Sequence, residues 1–188
     1  MFLRKKPSPP TIEAFLVSQA HRDFSYRPVG TSGGETPRGF AGMEHRVRLG
    51  TGERAFALAR EKMQRWRQFQ LGWVEIWPRE PPLEPGRTVA IVAHAFGLWT
   101  LSACRVVEVF EINDASAAKF GFSYGTLEHA ASGEEQFLVS WNLDDGSVWF
   151  TIRSFSRPGH PLTWLGYPLF RLAQKRFVRE SCAAMLEY

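Results

Sequence analysis

The alternation of apolar and polar positions divides the chain into a helical start, one strand and helix, a run of strands, and a helical end. From Thr11 to about Arg22, Ile12, Phe15, Leu16 and Ala20 fall on one helix face. Tyr26 to Phe40, rich in Gly and Pro, reads as an ordered loop. Met43 to Leu49 alternates as a strand, and Thr51 is placed to cap a helix beginning at Gly52. Residues 52–69 carry the strongest helical pattern, with Phe56, Ala59, Met63, Trp66 and Phe69 spaced by three and four before Gly72. From Trp73 the period falls to two. Strands are expected at 72–77, 87–96, 99–112, 118–129, 134–143 and 147–156. Short turn signals such as Asn113-Asp114, Ser132-Gly133 and Asp145-Gly146 separate them, so consecutive strands should be antiparallel. Residues 161–188 return to a helical pattern, with Pro168 suited to a first turn.

This order predicts an α+β fold: a curved antiparallel sheet of about six to seven strands gripping a long C-terminal helix. Residues 1–10 read as a disordered basic tail and 11–188 as a single domain. A chain of 188 residues buries about 70% of its unfolded surface, so neither disulfides nor metals are needed for stability.

Composition narrows the function. Aromatic residues make up 14% of the chain, with 15 Phe and 7 Trp, enough to fill a wide core or line an apolar pocket. The net charge is +4, but Arg4, Lys5 and Lys6 supply three of it. The near-neutral remainder argues against a nucleic-acid partner. Arg171, Lys175 and Arg179 form a basic stripe on the last helix, either a solvated face or a weak contact for a membrane surface or an acidic partner. Cys104 and Cys182, without zinc-type spacing, suit a reduced cytoplasmic chain. No signal peptide or 18-residue apolar window is present. There is no Gly-x-Ser-x-Gly motif, and Gly30-Thr31-Ser32-Gly33-Gly34 lacks the Lys of a phosphate loop. No cofactor or metal is expected, and His45 and His94 read as isolated packing or surface residues.

Strand counting places the candidate chemistry. A two-residue turn at Asp145-Gly146 pairs Trp141 with Phe150, Val139 with Ile152, Phe137 with Ser154 and Glu135 with Ser156. A four-residue loop at 130–133 pairs His129 with Glu134 and Glu128 with Glu135. One face then carries Phe122, Tyr124, Phe137, Val139, Trp141, Phe150 and Ile152, with Thr126, Glu128, Glu135 and Ser154 at its polar end. The other face carries His129, Glu134 and Arg157 as a cross-strand charge ladder, a structural feature. Two glutamates facing each other need a cation, an Arg or a shared proton. A solvated rim or a neutralising Arg is one reading of Glu128 and Glu135. A ligand-binding or catalytic role with Tyr124 is the other. The aromatic face with a polar end makes a hydrophobic or amphipathic small molecule the expected partner. An enzyme using these carboxylates and a membrane-surface module are the alternatives.

The run Phe122-Ser123-Tyr124-Gly125-Thr126-Leu127, with His129, Gly133-Glu134-Glu135 and Phe137, resembles a domain-of-unknown-function family of bacteria and plants, uncharacterised protein family 0548. Tyr26-Arg27-Pro28-Val29-Gly30, Leu49-Gly50-Thr51-Gly52, Gly72-Trp73 and Ser156-Arg157-Pro158 resemble its other motifs in order, over roughly residues 12–186. The resemblance implies a START-like, birch-pollen-allergen-like helix-grip fold, a class in which many members bind apolar ligands between sheet and helix. It implies no reaction, because the family has no established activity.

Overall fold

The computed structural model describes residues 1–128 and 130–187. Eight antiparallel strands form one sheet: β1 (Phe2–Leu3), β2 (Ala41–Thr51), β3 (Val74–Trp77), β4 (Thr88–Ala95), β5 (Leu98–Asn113), β6 (Ala117–Thr126), β7 (Ala131–Asn142) and β8 (Ser147–Pro158). Their order is β2-β8-β7-β6-β5-β4-β3, with β1 added against β5. The helices are α1 (Pro9–Gln19), α2 (Gly52–Gln64), α3 (Pro161–Leu165) and α4 (Tyr167–Leu186). The sheet is curved and α4 lies in its grip. Among the described residues no helix is long and apolar enough to cross a membrane.

The expected tail is ordered in its first residues. Phe2 pairs with Thr100 and Leu3 with Trp99, and the Met1 amino group donates to the Leu101 carbonyl at 2.8 Å. Three basic residues suggested solvation, but Phe2 and Leu3 ahead of them supply a strand's apolar contacts. The basic residues themselves are exposed, with Lys6 paired to Glu75.

Both faces of the sheet are covered. Toward α2 and α4, Phe120, Phe122, Phe137, Val139, Phe150 and Ile152 form the main core with Phe56, Met63, Trp66, Phe69, Val178 and Met185. On the outer face, Ile12 and Phe15 of α1 pack on Ala90, Val92, Leu101 and Ala103. The helix expected to run to residue 69 stops at Gln64; Trp66 adopts φ +55°, and a 3₁₀ turn follows at Arg67–Phe69. The left-handed residue turns the chain so that Trp66 and Phe69 both point into the sheet. The Trp66 indole N–H reaches the Pro81 carbonyl at 2.9 Å.

Register differs from the expectation in both central hairpins. Trp141 pairs with Val148, Val139 with Phe150, Phe137 with Ile152 and Glu135 with Ser154, a shift of two residues. The turn spans 143–146, and the Asp145 carboxylate accepts from the Ser147 amide at 2.8 Å, closing a longer loop than the Asp-Gly pair alone suggests. In the β6–β7 hairpin, Tyr124 faces Glu135 and Phe122 faces Phe137, a shift of four. The cause lies after Thr126. Leu127 turns onto the outer cluster, its N–H bonds the Ala103 carbonyl at 2.9 Å, and the chain leaves β7 for β5. Both shifts are even, so side chains within the paired strands keep their expected faces, while Glu128, beyond the end of β6, does not.

Candidate functional site

A cavity of about 430 Å³ lies between the sheet and the C-terminal helices. Its position follows from side-chain size. The inner faces of β6, β7 and β8 carry Phe122, Phe137 and Phe150, all fully buried, and Phe69 and Trp66 pack edge-on against them: Phe69 to Phe137 at 5.5 Å and Trp66 to Phe122 at 4.9 Å between centroids. That half of the sheet is packed solid. On β4 and β5 the inner positions shrink to Ala93, Ala95, Thr100 and Ser102, and the space above them stays open. Trp73, Ile91, Leu169, Phe170 and Phe177 line the remaining walls. The cavity opens at an exposed apolar rim, where Phe96 and Leu98 of the β4–β5 turn face Leu162 and Leu165 of α3.

Two polar groups mark the boundary between packed and open halves. Tyr124 of β6 and Glu135 of β7 both line the cavity, and the Tyr124 hydroxyl donates to Glu135 Oε2 at 2.5 Å. Among the described residues, Oε1 of Glu135 has no hydrogen-bond partner. Burial pushes the Glu135 carboxyl up from 4.5 to about 7, although the Tyr124 hydrogen bond pulls the other way. Tyr124 is held well above the ordinary phenol range by burial and by the neighbouring carboxyl. A carboxyl that titrates near neutrality inside an apolar cavity can accept a hydrogen bond, form an ion pair or exchange a proton.

Glu134, one residue earlier, points to the opposite face and is only 2% exposed. The expected ladder with Arg157 does not form: Arg157 pairs in register with Ser132 and lies over the Phe40 ring at 4.7 Å, and His129 lies outside the described residues. Instead, the 24–40 segment folds over this face. The Tyr26 hydroxyl donates to Glu134 Oε2 at 2.5 Å, the Gly30 amide to the same oxygen at 2.7 Å, and the Ser32 amide to Oε1 at 2.9 Å. The segment is further pinned by the Ser25 amide on the Thr126 carbonyl at 2.9 Å. Gly125 makes this possible, because a Cβ there would stand 2.1 Å from the Tyr26 hydroxyl. The face expected to carry the charge ladder is covered at Glu134.

The other expected site residues separate. Glu128 is not opposite Glu135. It sits beside α1, 3.7 Å from Arg22 and 3.2 Å from the Gln19 amide, with its side chain 38% exposed. Thr126 accepts from the Gly133 amide at 2.9 Å and shares a 2.7 Å bond with Ser25, holding the hairpin and the loop together. Trp141 packs against Phe56 of α2. Ser154 faces Glu135 across the ladder but borders a separate cleft with Ser32, Glu44 and Arg153. Phe122, Phe137 and Phe150 are core. Sequence reasoning missed the α3–α4 wall and the β4–β5 floor. The run of Ala93, Ala95, Thr100 and Ser102 at alternate positions was the available signal, since small residues on an inner face leave room.

A curved antiparallel sheet holding a long C-terminal helix, with a cavity between them, is a helix-grip architecture. Human STARD10 has the same fold, with a TM-score of 0.52 at 11% identity over 98% of this chain and 82% of that chain. The chain belongs to the family described as Domain of unknown function (DUF1990), which matches residues 25–184. It is 33% identical to a UPF0548 protein of Dictyostelium discoideum, over all of this chain and 95% of that protein. It is 36% identical to a UPF0548 protein of Arabidopsis thaliana, over 80% of this chain and 74% of that protein.

Proposed function

We propose that the protein binds a small hydrophobic or amphipathic molecule in the cavity between sheet and C-terminal helices. The observation that carries the reading is the cavity itself, about 430 Å³, apolar on most sides and bearing one carboxyl. That volume falls in the range of ligand pockets, and an apolar wall with few oriented polar groups is their common design. The rim supports entry from an apolar phase. Trp164 and Leu165 are 69% and 86% exposed, and Leu169 and Leu172 on the exposed side of α4 lead to the exposed Lys175 and Arg179. A membrane surface with anionic headgroups suits that sequence of apolar and basic groups.

Native mass spectrometry and thermal shift against a lipid and isoprenoid panel test the reading. A retained compound should raise the melting temperature, and Ala93→Phe, which fills the cavity, should abolish the shift while leaving the chain folded. Failure of every compound to bind, or undiminished binding by Ala93→Phe, overturns it.

A second reading has its own support. A Glu135 carboxyl near 7 beside Tyr124 is suited to general acid–base work at neutral pH on a molecule held in the same cavity. Turnover of a bound compound by the native protein, lost in Glu135→Gln with binding retained, distinguishes catalysis from binding alone.

A further inference from the structure

The polar groups of the cavity also bear on the head group of the molecule it takes, an inference that rests on the binding reading. Among the described lining residues there is no Lys, Arg or His, and Glu135 is the only acid. Its Oε2 is occupied by Tyr124, while Oε1 has no hydrogen-bond partner among the described residues, and the residue lines the cavity. From the surrounding elements, the titratable groups near it are Tyr124 of β6 and Cys104 of β5, both held in their neutral forms by burial. The residues lining the α3–α4 wall are uncharged, with Thr163 and Gln174 as its polar members, and Arg171 of α4 stands behind Gln174, donating to its Oε1 at 2.9 Å. The Thr163 hydroxyl is buried without a partner among the described residues.

We propose that the bound molecule carries a protonated amine on an apolar body, with the ammonium paired to Glu135 Oε1. An ammonium supplies only donors, and Oε1 is the free acceptor it needs. A carboxylate head would place a second acid beside Glu135 with no described cation to separate them, so one of the two must take up a proton. An alcohol can donate to Oε1 but brings no charge. The cavity therefore discriminates by what it refuses as well as by what it pairs.

The pairing makes binding pH-dependent in a defined direction. The empty site holds Glu135 protonated through mildly acidic pH, and the ion pair requires it ionised. Amine binding therefore releases a proton from Glu135 and tightens as pH rises through neutrality. Carboxylic-acid binding should weaken over the same range.

Isothermal titration with octylamine, octanol and octanoic acid, matched in chain length, tests this on the full chain. At about pH 7.5 octylamine should bind on the order of tenfold tighter than octanoate, a preference typical of one well-placed charged partner. Its affinity should rise between about pH 5.5 and pH 8. Glu135→Gln should erase both the preference and the pH dependence, so that octylamine binds no more tightly than octanol. Circular dichroism would verify that the variant folds. If octanol and octanoate bind but octylamine is no better, the head-group assignment fails and the cavity reading stands. If none of the three binds, both fail.

Discussion

Glu134 and Glu135 are adjacent in the chain, each receives a tyrosine hydroxyl at 2.5 Å, and they serve opposite faces of one strand. Glu134 is provided with two further donors, the Gly30 and Ser32 amides, and is sealed beneath the 24–40 segment. Among the described residues Glu135 has Tyr124 alone, and it borders open space. Donor count separates a carboxyl that holds structure together from one left available to a visitor. Burial runs the same way: Glu134 is buried and Glu135 is half-buried where it lines the cavity.

The largest expected effect comes from breaking the first of the pair. Glu134→Ala leaves the buried Ser32 amide, the more exposed Gly30 amide and the Tyr26 hydroxyl without their acceptor, and should cost about 3–5 kcal/mol by urea unfolding. A cost under about 1 kcal/mol would show that the 24–40 segment does not depend on this carboxyl. Next is Gly125→Ala, whose methyl would stand 2.1 Å from the Tyr26 hydroxyl and push the ring off the sheet. It should destabilise by about 2–4 kcal/mol, and combining it with Tyr26→Ala should recover part of that loss, a coupling that a double-mutant cycle measures.

The third prediction has the opposite sign. Folding raises the Glu135 pKa from 4.5 to about 7, so its contribution to stability is fully present below about pH 4.5 and is lost as pH rises through 7. Between about pH 5 and pH 8 the loss should be on the order of 2–3 kcal/mol. Glu135→Gln should flatten that slope and leave the variant more stable than the parent at about pH 8, where Glu134→Ala is crippled. A pH-independent difference between parent and Glu135→Gln would remove the distinction between the two glutamates.

How much of this was legible in the sequence depends on the kind of signal. Period-two alternation and turn residues were enough for the antiparallel sheet and the gripped helix. The two faces of β6, β7 and β8 were also readable. Register errors of two and four residues exchange partners but not faces, so Phe122, Tyr124, Glu135 and Phe137 stayed together on the inner side. The pairing itself was not readable. The departure of Leu127 toward Ala103 is a tertiary choice with no local marker, and it replaced an expected Glu128–Glu135 pair with Tyr124–Glu135. Coverage of the outer face was hidden for a different reason. Residues 24–40 have no periodicity, and their affinity for the sheet lies in Tyr26 and in backbone amides that carry no side-chain signature. The location of the cavity followed from what was small, not from what was aromatic, and attention to large residues alone pointed to the packed half.

The account stands most directly on the protonation of Glu135 beside open apolar space. A carboxyl-carbon NMR titration of Glu135 in the ligand-free protein measures it. The account predicts a midpoint of about 7 that falls when octylamine is added, because the ammonium stabilises the ionised form. A midpoint at the ordinary glutamate value of 4.5, unmoved by octylamine, would contradict it.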